Sequence, residues 1–379
     1  MNQTHSALSS IWHHFQTTLF PELQEAVGEL TARHKQFIEV IELAQIETHL
    51  PYIGRVPGRP TADRSAIARA FVAKAVYNLP TTEILIDYLN ADTKLRRLCG
   101  WERKRDVPSA STFSRAFAEF AQSQLAQRVH AAVIDRQLGD QLVGHVSRDS
   151  TAIVAREKPQ KPIAETSSEP KKRGRPKKGE VRIKESTRLE KQSAGMSLFE
   201  MTADLPTACN VGTKRNSKGY KTNWIGYKLH IDACDGGIPI SCLLTSASLH
   251  DSQVAIPLAE ITNQRITHCY DLMDAAYDAP LIRQHSQSLG HVALIDENPR
   301  TKVRKAEIAE EQKRRRTAGY QLAEDIHYNE RSTVERVNGR LKDEFNGRMV
   351  RVKGHSKVMA HLMFGIIVLS IDQLMKLTV

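Results

Sequence analysis

No hydrophobic core can contain residues 155–188. From Ala155 to Arg188 the chain carries twelve Lys or Arg against five Asp or Glu, four prolines (Pro159, Pro162, Pro170, Pro176) and almost no large apolar side chain. Such a segment buries too little surface to offset the entropy of ordering it. We expect a basic, mobile insertion over residues 155–222, with its charge concentrated before Arg188. The 379-residue chain then splits into 1–140 and 141–379, the second interrupted by the insertion. The charged stretch also supplies +7 of the chain's net +11, a surplus that points to a polyanionic partner.

Residues 1–140 read as helical. Pro60-Thr61 opens a run with Ile67, Phe71 and Val76 on one side, ending at Leu79-Pro80, and a second helix follows Thr81-Thr82 with Ile84, Leu85, Tyr88 and Leu89. A third starts after Pro108-Ser109, where Phe113, Phe117, Phe120 and Ala121 recur at helical spacing. Short helices and tight turns in a basic protein suit either a helix-turn-helix or a helical bundle used for assembly.

After the insertion the period changes. Tyr227 to Asp232 alternates, Asp235-Gly236-Gly237 is a turn, and Ile238 to Ser246 is β-prone, so this is a hairpin. Val143–Asp149, His268–Met273 and His291–Ile295 suit strands, while 256–261 and 280–289 suit helices. That order is an α/β plan with a mixed sheet. Val358 to Ile371 is too short to span a bilayer and reads as a buried terminal helix. The N-terminus shows no signal-peptide pattern, and five cysteines without a CxxC pair suit a reducing cytoplasm.

The plan brings three acids within reach of one another: Asp149 and Asp274 at strand ends and Glu335 on a helix. Asp271 and Asp278 compete with Asp274, which is preferred because it follows the apolar strand directly. Clustered carboxylates suit hard divalent cations with oxygen ligands, and two such ions suit phosphodiester chemistry. On a helix advancing 100° per residue, Tyr328, Arg331, Glu335 and Lys342 share a sector about 60° wide. Val334, Val337, Leu341 and Phe345 form a separate apolar stripe for the core.

Tyr328-x2-Arg331-x3-Glu335-x6-Lys342 resembles the Tyr-Arg-Glu-Lys signature of bacterial insertion-sequence DDE transposases. Asp149 in DSTAI, GYKLH at 226–230, LHDSQVAIPL at 249–258 and Asp274 in DAAYD resemble other blocks of that family. The segment from GRPTADRSAIARAF through VPSASTFSRAF resembles the helical N-terminal domain often found with it. The resemblance implies an RNase H-like mixed sheet flanked by helices, preceded by an all-α DNA-binding or assembly domain. It further implies two Mg²⁺ ions, replaceable by Mn²⁺, on Asp149, Asp274 and Glu335, with Tyr328, Arg331 and Lys342 touching DNA.

Expected partners are double-stranded DNA, as terminal inverted repeats and target, and further copies of the chain, with no membrane. The implied setting is the bacterial cytoplasm at the nucleoid. The 61 residues from Asp274 to Glu335 leave no room for the large β-insertion of some relatives. KKRGRPKKG at 171–179 resembles an AT-hook, with Arg173 and Arg175 entering an A·T minor groove. Two other functions fit the same residues: a catalytically silent transposase-derived regulator, and a metal-dependent nuclease without strand transfer.

Overall fold

The computed structural model describes residues 10–51, 61–160, 185–215, 219–299 and 301–377. Its N-terminal part holds helices α1 (Phe20–Val27), α2 (Ala32–Ala44), α3 (Arg64–Val76), α4 (Thr82–Ala91), α5 (Thr93–Cys99), α6 (Ala110–Gln122) and α7 (Leu125–Leu138). The starts follow the local chemistry. Asp63 caps α3 through the Ser65 amide at 2.8 Å, and Thr81 caps α4 through the Ile84 amide at 3.2 Å. Helix α3 is buried along nearly its whole length, so it has no free face to lay in a DNA groove. The anticipated stripe of α6 is buried at Phe113, Phe117, Phe120 and Ala121.

Six strands form one mixed sheet: β1 (Leu142–Val154), β2 (Asn210–Arg215), β3 (Lys221–Cys234), β4 (Ile238–Ser246), β5 (Thr267–Met273) and β6 (Val292–Ile295). The path runs β2-β3-β1-β5-β6, with β4 also on β3. Strands β1, β3 and β4 pair antiparallel, and β1, β5 and β6 pair parallel, as the RNase H-like expectation requires. Strand β3 is long enough to carry β2 on its first half and β4 on its second. The change comes at Gly226, where an added Cβ would meet the Ile153 carbonyl oxygen at 2.1 Å, so only glycine fits.

Between β1 and β2 lie α8 (Arg188–Ser193) and α9 (Leu198–Ala203); α10 (Ala255–Asn263) follows β4 and α11 (Pro280–Ser288) follows β5. Helices α10 and α11 cover one side of the sheet. The chain continues through α12 (Lys302–Thr317), α13 (Ala323–Asn329), α14 (Ser332–Glu344) and α15 (His355–Lys376). Val334, Val337, Leu341 and Phe345 are buried, as the stripe anticipated, and they seat α14 on β1 and β3.

Two expectations change. The insertion is not a featureless loop through residue 222: its described part from 185 onward contains α8, α9 and β2, and β2 pairs with β3 from Asn210 to Arg215. Its low apolar content misled because β2 is stabilised by ladder hydrogen bonds at a sheet edge rather than by burial. The helix read as continuous through Tyr328 and Lys342 is two, with Glu330 and Arg331 forming the turn between α13 and α14. The AT-hook resemblance lies outside the described residues.

The boundary near residue 140 separates two architectures but not two cores. Helix α15 is packed by α2, α3, α6 and α7 and by β4, and a single hydrophobic cluster runs from Phe15 to Met375. Phe364 on α15 lies 5.7 Å from Phe71, which meets Phe113, Phe117 and Phe120 at 5.8, 4.8 and 6.3 Å between centroids. Polar bonds cross the same seam: Asn346 Nδ2 donates to the Lys74 carbonyl at 2.8 Å, and Gln36 Nε2 donates to Asp372 at 2.7 Å. Helix α15 is long and apolar enough to cross a bilayer, but 89% of its most apolar window is buried inside the protein.

Gly365 sits where α15 meets the end of α14, and a Cβ there would lie 2.4 Å from the Phe345 carbonyl oxygen. Gly365→Ala should therefore cost about 1–3 kcal/mol, the usual range for overpacking. Because the core is continuous, wild type and variant should each melt in one transition, coincident by circular dichroism and by tryptophan fluorescence. Two separated transitions would mean that the helical part folds on its own core.

Candidate active site

The β1–β5 ladder delivers the first two acids. Its last pair is Arg148 with Met273, so the next residue on each strand is an acid, Asp149 on β1 and Asp274 after β5. The two stand side by side where β5 ends. Asp274 also caps the turn Ala275–Tyr277, accepting from the Ala276 amide at 2.9 Å. Its competitors are engaged elsewhere. Asp278 accepts from Arg283 at 3.1 Å and from the Asn298 amide at 3.0 Å, while Asp271 is turned into a buried network with His268 and Arg148.

Beneath the site lies a buried ion pair. Arg148 donates from Nε and Nη2 to the two oxygens of Asp232 at 2.8 and 2.7 Å, both residues essentially inaccessible. Burial alone would favour losing the guanidinium proton, but Asp232 outweighs it and holds the Arg148 pKa above its ordinary value. Successive strand residues face opposite sides, so Arg148 turns into the α10 side while Asp149 faces α14.

The acids are poised against one another. Burial pushes Asp149 from an ordinary 3.8 to about 6; the Ser150 amide and Lys214 oppose the rise, and Asp274 and Asp251 add to it. Asp274 is raised by burial and by Asp251, against the Ala276 amide, Arg331 and Lys214. A third carboxylate thus joins the pair, one that the sequence reading did not single out. Asp251 is itself depressed: burial raises it, but His230, Lys228 and the Ser150 hydroxyl outweigh that, Lys228 Nζ lying 2.9 Å away. Its only sequence signal was its place in LHDSQVAIPL. Lys214 on β2 was missed because it lies within the stretch expected to be a mobile insertion.

Glu335 is near but not aligned with the aspartates. Its carboxylate pairs with Arg331 at 2.9 Å and its side chain is 53% exposed. Arg331 is the link. Burial lowers its pKa, but Tyr328, Glu335 and Asp149 together hold it raised, and its guanidinium lies over the Tyr328 ring at 5.8 Å. Burial and Asp296 push the Tyr328 phenol up. Lys342 reaches β1 and donates to the Thr151 hydroxyl, two residues beyond Asp149; burial, Arg348 and Lys214 lower its pKa. The structure thus groups Asp149, Asp274, Tyr328, Arg331, Lys342 and, through Arg331, Glu335. Arg173 and Arg175 lie outside the described residues.

The donor set suits a hard divalent cation. Asp149, Asp274 and Asp251 offer only oxygens, and their mutual repulsion is relieved by positive charge between them. The Tyr277 hydroxyl, buried with no hydrogen-bond partner among the described residues, feels all three, which with burial raise its pKa well above the usual phenol value.

Comparison with known proteins gives two family matches. A family described as Transposase DDE domain matches residues 176–371, which include Asp274 and Glu335 and begin after Asp149. A second, described as Transposase domain (DUF772), matches residues 22–119, within the helical part. No curated protein and no solved structure matches the chain.

A raised carboxylate pKa means that the folded chain disfavours the ionised form. The penalty is absent when Asp149 is protonated in both folded and unfolded chains, below its ordinary 3.8, and is complete above about 6. In EDTA, Asp149→Asn should therefore be more stable than wild type at pH 8 by about 1–3 kcal/mol, with the difference vanishing near pH 4. Mg²⁺ should stabilise wild type and not the variant. Identical melting of the two proteins across pH 4–8 would remove Asp149 from the acidic cluster.

Proposed function

The chain belongs to the DDE-domain transposases, and on that premise we propose that it cuts DNA at the ends of its own insertion sequence and joins them to target DNA. The first step is hydrolysis: a water oxygen bonds to phosphorus, the P–O bond to the 3′-oxygen breaks, and that oxygen leaves as a 3′-hydroxyl. In the second, the 3′-hydroxyl attacks a target phosphodiester and displaces another 3′-hydroxyl, so the number of ester bonds is conserved.

The observation that carries this reading is the pairing of Asp149 and Asp274 one step past the end of the β1–β5 ladder, with Arg331, Lys342 and Lys214 around them. Asp149, Asp274 and Glu335 would hold divalent ions, two Mg²⁺ or Mn²⁺ in place of them. When bound, such ions polarise the attacking oxygen and neutralise the leaving one.

The chain's own residues bind and orient DNA. Arg331 and Lys342 are donors only and cannot ligate a cation, so their partner is the phosphate backbone of the transposon end. Tyr328 supports the Arg331 guanidinium from below. A phosphate that captures Arg331 competes with Glu335 for it and frees that carboxylate to turn toward the aspartates, coupling DNA engagement to completion of the site. In this reading the enzyme works on terminal inverted repeats as a homo-oligomer, in the bacterial cytoplasm at the nucleoid, and the Arg173–Arg175 segment adds minor-groove affinity.

Asp149→Asn, Asp274→Asn and Glu335→Gln should each abolish cleavage of end DNA while leaving its binding nearly intact. Arg331→Ala and Lys342→Ala should weaken end binding and flatten its salt dependence by about one unit of slope per lost contact. The assay is strand transfer of a pre-cleaved end, with binding titrated over a salt series. If both alanine variants bind and join that end like wild type, the proposed DNA face is wrong. Cleavage by Asp274→Asn would remove that acid from the site.

A further inference from the structure

A second group of metal-ligating side chains lies on the opposite side of the sheet from α14. His268 and Asp271 belong to β5, and His291 immediately precedes β6. Their side chains are 1%, 2% and 4% exposed, and one ligand atom from each lies within 4.8 Å of the others. His268 Nε2 is 3.1 Å from Asp271 Oδ1, and His291 Nδ1 is 3.4 Å from Asp271 Oδ2.

The second of these contacts is long for a hydrogen bond. His291 Nδ1 and Asp271 Oδ2 are buried with only this long contact between them, and His268 Nδ1 is buried without a hydrogen-bond partner among the described residues. Unsatisfied buried polar atoms are costly, and here two of them converge on one point.

Asp271 faces the two imidazoles with little help from elsewhere. Arg148 lies 3.7 Å from its Oδ1 but is held bidentately by Asp232, and the rings of His268 and His291 lie with centroids 3.7 Å apart.

We propose that His268, Asp271 and His291 bind one divalent transition-metal ion of the Zn²⁺ type. Two imidazoles and one carboxylate are a borderline nitrogen and oxygen set, which selects Zn²⁺ over Mg²⁺ or Ca²⁺. The site is closed, so the ion is structural and enters during folding. It ties β5 to the start of β6, and β5 is the strand whose next residue is Asp274. The ion thus positions Asp274 and takes no part in the chemistry.

The test uses the full-length chain produced with Zn²⁺ and desalted through EDTA, which strips exposed sites, followed by elemental analysis. Wild type and Asp149→Asn should each retain about one Zn²⁺ per chain, as a closed structural site does. Asp271→Asn and His291→Gln should retain less than about a tenth of that while circular dichroism shows them folded. Wild type produced with Co²⁺ should show visible tetrahedral bands, and X-ray absorption of the Zn²⁺ form should show imidazole scattering. These two measurements need no variant, so they decide the matter if the core substitutions fail to fold. Wild type emerging metal-free, a metal lost on Asp149→Asn, or bound metal without imidazole ligands would each overturn the site.

Discussion

Helix α15 has no outward face. A helix that is apolar all round must be covered on every side, and the sheet with α14 covers only part of it. The N-terminal helices supply the rest, which is why Phe71 and Phe117 gather around Phe364 and why one core spans both architectures. The all-α part is thereby an integral layer of the catalytic part rather than a tethered module. Any DNA contacts that it makes are rigidly related to the acids across the seam.

Where α15 sits decides where α14 sits. The missing side chain at Gly365 lets the end of α14 approach closely, and the Ser147 hydroxyl donates to the Glu330 carbonyl at 3.0 Å at its other end. Helix α14 is pinned at both ends, so Arg331 just before it and Lys342 near its end reach the part of β1 around Asp149. The pair Arg148–Asp232 fixes β1 against β3 from the other side of the sheet. Removing either partner would leave a lone buried charge, a loss of about 3–5 kcal/mol in comparable cases.

Two charge imbalances meet at the site. Burial raises Asp149 and Asp274, and repulsion from Asp251, whose ionised form His230 and Lys228 favour, adds to the rise. Lys342 and Lys214 stand near them without cancelling that repulsion, and Arg331 divides its charge among Glu335, Asp149 and Tyr328. In the proposed function a divalent cation answers the first imbalance and a phosphate backbone answers the second.

The alternation of Tyr227 to Asp232 and the hairpin turn at Asp235-Gly236-Gly237 already pointed to strands in an α/β plan, because strand period and turn chemistry are local. The apolar stripe of α14 was equally legible, because helix faces repeat on a fixed angle. Lys214 was not legible, and Asp251 and Lys228 showed only as members of the LHDSQVAIPL and GYKLH blocks; folding sets Lys214 and Asp251 near Asp149 and pairs Lys228 with Asp251. Asp274 was preferred over Asp271 and Asp278 because it directly follows the apolar strand; the ladder adds that it stands beside Asp149, while Asp271, three residues earlier, meets the buried histidines. The sequence by itself determined which segments are strands, which are helices and which acids were eligible. Tertiary structure decided which acids meet, because proximity between residues remote in the chain depends on register and packing, and neither is encoded within any one segment.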